Sequence, residues 1–378
     1  MNVKINTSAV CITLALSLYL STISEIQILT DIKYILFPKD AHHPFNRVPS
    51  ISYSKLINDD NSIDTEIFDS MREFGFFYVT NVSNYDAASE LKYLKSFFAL
   101  PTSTKMALAV KKHDSRNKNI YRGYGPVVEN SGTQHKEMFN IGPHEVPTPS
   151  YKQTDSSLDK LRAISREQNV WPETGDVQFD EEFKKVFRLG VQIRIAIAQG
   201  VIRSIARSLK AEEFVSRFTE HEFSTLGLRR YPVRTRRSQN MNSEYDNVTL
   251  SELEHEDSTV TILTTFNCTG LQALYKKKYI DVPPSNEGFI INIGTIIEDI
   301  TDMKIKAVRH RVKQVDFERH SIPFFFNPSF DANIRTSISG RLTAAGERSR
   351  IFGEWMRDYL PSVEPNLLEK SLTTDDGV

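Results

Sequence analysis

The chain has 378 residues, 39% hydrophobic and 25% charged, which supplies enough apolar side chain for a sizeable core in one large domain or two intimate ones. With 47 Lys and Arg against 48 Asp and Glu, the formal net charge is -1, which excludes the broad positive field of a nucleic-acid binder. The two cysteines, Cys11 and Cys268, lie in segments of very different character and exclude a disulfide framework, so the fold must stand on packing.

At the N-terminus, Lys4 precedes an apolar run, Ala9–Leu20, and Thr22 and Ser24 are small residues at cleavage-site spacing. The run is shorter than the roughly 20 residues of a membrane span. Two readings stand side by side: a signal peptide or anchor that leads into the secretory pathway or ER, and an extension of a cytoplasmic protein. The cytoplasmic reading is the one adopted. Three glycosylation sequons, at Asn81, Asn247 and Asn267, are too short a motif to decide between them.

From residue 47 the pattern is that of a compact domain. VPSISYSKL (Val48–Leu56) reads as a strand followed by a helix start, before the polar turn NDDNS. Ile67, Met71 and Phe74 mark one face of a helix over Asp64–Phe74, which Gly75 stops. Phe76–Thr80 (FFYVT) is a β-branched and aromatic strand, and Leu91, Leu94 and Phe98 mark a second helix over Asp86–Phe98 that Pro101 ends. The longest helical signal runs from about Asp180 to Leu209. Ile193, Ile197, Val201, Ile205 and Leu209 recur there at every fourth residue, a stripe that should lie against a sheet.

After Thr225 the text changes to short strands separated by turn residues: LGLRRYP, STVTILTTF, YIDVPP, GFIINIG, AVRHRV and HSIPFFF. This spacing predicts a closed or two-sheet antiparallel β unit. Arg229, Arg230, Arg234, Arg236 and Arg237 read as a solvated loop face, as do Lys276–Lys278. The tail after Pro361 reads as peripheral.

Within that β region, His255-Glu256-Asp257 is placed at the start of a strand, where alternation sends residues 255 and 257 to the same face. His310 comes from a later strand, far enough on for the sheet to return and supply a third ligand. Two imidazoles and a carboxylate that leave open positions are the arrangement of Fe(II) oxygenases. An H-x-D alone is weak, since a chain with nine histidines matches it by chance. Arg319-His320-Ser321 strengthens it: a guanidinium fork, with a hydroxyl two residues along the same strand face, suits the far end of a dicarboxylate.

With HED, HRV and RHS in this order, the sequence resembles the isopenicillin N synthase-like family of Fe(II)/2-oxoglutarate-dependent oxygenases over about residues 47–335. VPSISYS, GFFYVTN, FFALP, RGY with KEMFNIG, NVWP, LRRYP, YIDVPP, INIG and SIPFFFNP agree as well. The resemblance implies an α+β fold with a mainly β core: a double-stranded β-helix, or jelly roll, with a long backing helix and an N-terminal mixed helical region. It implies residues 1–46 as an extension, 47–170 as the N-terminal region of the oxygenase, 171–345 as the jelly-roll domain, and 346–378 as a C-terminal helix and tail.

It also implies that His255, Asp257 and His310 bind Fe(II), and that Arg319, Ser321 and Tyr231 bind the far carboxylate of 2-oxoglutarate. For Tyr231 a core role is an equal alternative. The expected activity is hydroxylation or desaturation of a small-molecule substrate by dioxygen, with succinate and carbon dioxide released and ascorbate as a candidate reductant. Two alternatives are an Fe(II) oxidase of the same fold that does not use 2-oxoglutarate and an inactive jelly-roll binding protein. Departures from the family pattern are Arg229-Arg230 where many members have Asn-x, a slightly short stretch between His255 and Gln272, and Asp302-Met303 where the turn is often Asn-Gly. The entrance to the substrate site is expected in residues 142–166 and 233–252.

Overall fold

A computed structural model describes residues 43–127, 135–143, 157–233, 248–285 and 287–363. The N-terminal apolar run, most of both expected entrance segments, Arg234, Arg236, Arg237 and the final tail lie outside these residues. The chain divides into residues 1–47, whose described part is a 3-10 turn at Pro44–Arg47, and the oxygenase-like unit 48–378.

Among the described residues the unit holds twelve strands: β1 (Ser50–Ser52), β2 (Phe76–Thr80), β3 (Gly123–Gly125), β4 (Glu137–Ile141), β5 (Thr225–Tyr231), β6 (Leu250–His255), β7 (Val260–Thr264), β8 (Leu271–Tyr275), β9 (Lys278–Asp281), β10 (Phe289–Ile293), β11 (His310–Lys313) and β12 (Arg319–Phe326). Eight form one sheet in the order β1-β2-β10-β7-β12-β5-β4-β3, and β6-β11-β8-β9 form a second. All pairs are antiparallel except β1 with β2. The segment before residue 170 therefore supplies four strands of the larger sheet. The smaller sheet closes over it, and side chains of both line one cavity. This is the jelly roll that the resemblance implies.

Three helices matter for the site: α1 (Ala87–Phe98), α2 (Val177–Leu209) and α3 (Phe352–Val363). Asp86 caps α1 by accepting the Ser89 amide proton, and Asp176 caps α2 through the amide of Phe179. Helix α2 starts three residues earlier than the sequence predicts. It is long and apolar enough to cross a bilayer, yet Ile193, Ile197, Val201 and Ile205 are buried and it packs on the larger sheet. The central strands are consequently covered on both faces. In β7, Ile262 is covered on the helix side while Thr261 and Leu263 face the cavity; in β10, Ile291 is covered while Ile290 and Asn292 face it.

An arginine ties helix to sheet. Arg194 of α2 is fully buried and donates to both carboxylate oxygens of Glu90 in α1 at 2.7 Å and to Thr264 Oγ1 of β7 at 2.7 Å. Gly190 leaves room for this pair, since a Cβ there would lie 2.4 Å from Glu90 Oε1.

The sequence reading differs from the fold in further respects. It missed β3 and β4 of the larger sheet, and β6 and β8 of the smaller one, where LSELEH is mostly half-exposed and rich in acids and LQALY is short. In addition, Asp302 and Met303 both adopt the left-handed conformation, at φ 56° and 61°, so the turn keeps its shape without glycine.

Removing Glu90 leaves a buried, uncompensated guanidinium. Glu90→Ala is expected to lower the urea-unfolding free energy by about 3–5 kcal/mol, and an apolar pair, Glu90→Leu with Arg194→Met, to recover much of it. Equal losses in both proteins would place the stability elsewhere.

Candidate metal centre

His255 is the last residue of β6 and His310 the first of β11, and antiparallel pairing sets them directly opposite each other, with ring centroids 4.3 Å apart. Asp257 is not on a strand. It lies in the link that carries the chain from β6 in the smaller sheet to β7 in the larger one. The alternation argument for residues 255 and 257 is thus replaced by a crossing between sheets.

That crossing is held by backbone. The Thr295 amide donates to the Asp257 carbonyl at 2.9 Å and the Ile296 amide to that of Ser258 at 2.8 Å. Gly294 permits the approach, because a Cβ there would sit 2.3 Å from the Asp257 carbonyl oxygen.

The ligand atoms are oriented by their other hydrogen bonds. His255 Nδ1 is 2.7 Å from the Leu253 carbonyl and His310 Nδ1 is 3.0 Å from that of Val308. A carbonyl only accepts, so each Nδ1 carries the proton and each Nε2 presents a lone pair. Asp257 Oδ2 accepts from Thr261 Oγ1 at 2.6 Å and Asn292 Nδ2 at 2.8 Å, which leaves Oδ1 for a metal. Thr261 and Asn292 are themselves a cross-strand pair of β7 and β10.

Oδ1 lies 3.7 Å from His255 Nε2 and 3.9 Å from His310 Nε2. Two metal bonds of about 2.1 Å span at most about 4.2 Å, so this donor set fits one ion. Burial by itself would raise the pKa of Asp257, but the two imidazoles and the donors on Oδ2 hold it below the usual range. Burial, then His255, pushes His310 down and keeps it neutral. Among the described residues, this is the one cluster with metal-ligand geometry.

Beside the ligands, the register of β12 on β5 sets Arg319 opposite Tyr231 and Ser321 opposite Arg229. Arg319 is buried, donates to Ser321 Oγ at 3.3 Å and to the Thr269 carbonyl at 3.1 Å, and lies over the Tyr231 ring at 4.9 Å, with no acidic partner among the described residues. A buried guanidinium without a counter-charge is what a bound carboxylate requires. Tyr231 supplies its ring to that cation, whereas its hydroxyl donates to Glu252 Oε2 at 2.9 Å.

Glu252 and Lys136 were not found from the sequence. They form a buried ion pair on the cavity wall. Burial opposes the charge of Glu252, but Lys136, His255 and the Tyr231 hydroxyl keep its pKa far below the usual range. Glu252 and His255 are three residues apart and would face opposite ways on a regular strand. An irregularity in the register of β6 against β11 brings both to the cavity. Arg229 is a correction: it is 6% exposed and part of this wall, not a solvated loop residue. Arg230 pairs with Glu137 and Glu318.

Residues 226–328 match the model of the 2OG-Fe(II) oxygenase superfamily, and residues 48–174 match that of the non-haem dioxygenase in morphine synthesis N-terminal region. The isopenicillin N synthase of a Flavobacterium species is 30% identical over 291 residues, covering 75% of this chain and 85% of that protein. The chain belongs to the isopenicillin N synthase-like family of 2OG-Fe(II) oxygenases.

The isopenicillin N synthase of Penicillium rubens is 26% identical and covers 85% of this chain and 98% of its own. In fold, the family member at hand resembles Neurospora crassa T7H solved in complex with alpha-KG, with a TM-score of 0.64 at 20% identity, covering 84% of this chain and 96% of that one. It also resembles a 2OG-Fe(II) oxygenase family protein of Caulobacter crescentus, with a TM-score of 0.64 at 24% identity, covering 84% and 99%. It is a non-haem iron dioxygenase, with Fe(II) as cofactor and 2-oxoglutarate as co-substrate.

Loss of the donors on Asp257 Oδ2 should free the carboxylate to rotate. Thr261→Val and Asn292→Leu are each expected to weaken Fe(II) binding about 10–100-fold in anaerobic titration, with His255→Ala and Asp257→Ala as the loss-of-site references. Fe(II) affinity unchanged in both would mean that the carboxylate is held by something else. Gly294→Ala should lower the midpoint of thermal unfolding, since its Cβ would displace the Asp257 backbone.

Proposed function

We propose that the enzyme hydroxylates or desaturates a small organic molecule, with 2-oxoglutarate converted to succinate and carbon dioxide. The observation that carries this reading is Arg319. It is a buried cation without an acidic partner among the described residues, next to Ser321, in the cavity that also holds His255, Asp257 and His310.

When bound, ferrous iron supplies the redox chemistry: dioxygen takes two electrons from the oxidative decarboxylation of 2-oxoglutarate and two from a substrate C–H bond. The residues position and shield. Arg319 and Ser321 hold the far carboxylate of the co-substrate by charge-assisted hydrogen bonds, and Leu271, Ala273, Val312 and Pro323 keep water from its carbon chain. Asp257 and the two imidazoles, fixed by Thr261, Asn292 and two backbone carbonyls, present their lone pairs without reorganisation. A second cavity of about 290 Å³ shares His255, Asp257 and Arg229 with the first and is bounded by Met356, Tyr359 and Leu360 of α3. It is the space for the organic substrate.

A second reading is an Fe(II) oxidase of the same fold, in which Arg319 and Ser321 hold a carboxylate of the substrate itself and no 2-oxoglutarate is consumed. Succinate separates the two. Incubation with Fe(II), ascorbate, 2-oxoglutarate and a metabolite library should give substrate-dependent succinate; substrate oxidation without succinate selects the second reading. Arg319→Ala is expected to weaken 2-oxoglutarate binding by about 2–5 kcal/mol in anaerobic titration, and unchanged affinity would locate the anchor elsewhere.

A further inference from the structure

Arg229 is a second buried arginine whose charge the iron site does not use. Its side chain donates to Asn140 Oδ1 at 2.8 Å and to the Leu228 carbonyl at 3.2 Å, and among the described residues no carboxylate pairs with it. An ionised group so deeply buried is costly unless something answers it.

The fold makes room for it. Gly227 lies two residues back on the same strand face, and a Cβ there would come within 2.5 Å of the Arg229 guanidinium. Asn140 stands opposite Gly227 in β4 and orients the fork by accepting from it. The guanidinium thus lies over a glycine, steered by a neutral amide, and borders both the ligand cavity and the second cavity.

Charge balance assigns it a partner, given the cofactor and co-substrate of the reading above, on which this step rests. The two positive charges of ferrous iron and the one on Arg319 are met by Asp257 and the two carboxylates of 2-oxoglutarate. Lys136 is met by Glu252. Glu254, on the wall of the second cavity, has Arg311 as its partner at 3.3 Å. Arg229 is left over. The rest of the second cavity combines apolar Phe325, Met356 and Leu360 with hydroxyl and amide groups.

We propose that Arg229 is a specificity-determining anchor for a carboxylate on the substrate, and that the enzyme acts on a small organic acid with an apolar body. Arg229 and Asn140 fix the acid end at the side of the cavity nearest β5, and the apolar body lies against α3.

The test is calorimetric titration of the full-length protein without oxygen, loaded with Fe(II), with and without 2-oxoglutarate. The probes are phenylacetate, 4-phenylbutyrate and decanoate, each against its primary amide. Wild type should bind at least one acid about tenfold or more tighter than its amide. Arg229→Met should lose that preference and Arg229→Lys keep part of it, while 2-oxoglutarate affinity stays within about threefold in all three proteins.

No acid preference in wild type, or one that survives in Arg229→Met, overturns the proposal. So does a fall in 2-oxoglutarate affinity in Arg229→Met, which would assign the cation to the co-substrate. Failure of 2-oxoglutarate to bind wild type overturns the co-substrate reading instead. An Arg229-dependent acid preference with Fe(II) alone would then leave the present inference standing.

Discussion

Antiparallel pairing brings residues directly opposite each other to within about 4.5–5.5 Å, and the site is assembled almost entirely from such pairs. His255 meets His310, Thr261 meets Asn292, Tyr231 meets Arg319, and Arg229 meets Ser321. A slip of one residue in any of these pairings would turn its members to the opposite face of their sheet. The apolar alternation of β7 and β12 opposes such a slip, because their other faces are sealed by α2. Stability of the helix layer, including the Arg194–Glu90 pair, is in this way tied to the geometry of the metal ligands.

Asp257 is the exception, since it belongs to neither sheet. Its placement depends on a backbone crossing held by Gly294, Thr295 and Ile296, and its carboxylate on Thr261 and Asn292. The phrase INIG is therefore a support for the metal site as much as a strand: Asn292 orients the carboxylate, and Gly294 clears space for the chain that carries it. The same element fills the core through Ile291 and Ile293.

The cavity is also an electrostatic construction. Among the described residues, Arg319 and Arg229 are buried cations without acidic partners, whereas Lys136 and Glu252 neutralise each other. A site of low dielectric that keeps positive charge unanswered favours anionic ligands, and the cost of burying that charge is offset only when such ligands arrive. Glu252 has a further role through the Tyr231 hydroxyl, which fixes the ring beneath Arg319.

Much of this was legible in the sequence, and for local reasons. The stripe of α2, the strands FFYVT and HSIPFFF, the apolar face of α1, and the order H-x-D, H, R-x-S are read over short spans where periodicity and spacing carry the signal. By itself the sequence determined the chemistry of the donor set and the β-rich class of the core. Tertiary structure decided what periodicity does not encode. The chain crosses between sheets at Asp257, an irregular register in β6 turns Glu252 inward, and pairing with β4 and β12 puts Arg229 in a wall where a run of arginines had suggested solvent. Each of these depends on a partner far along the chain, and a residue's burial and charge partner are properties of that pairing rather than of its neighbours in sequence.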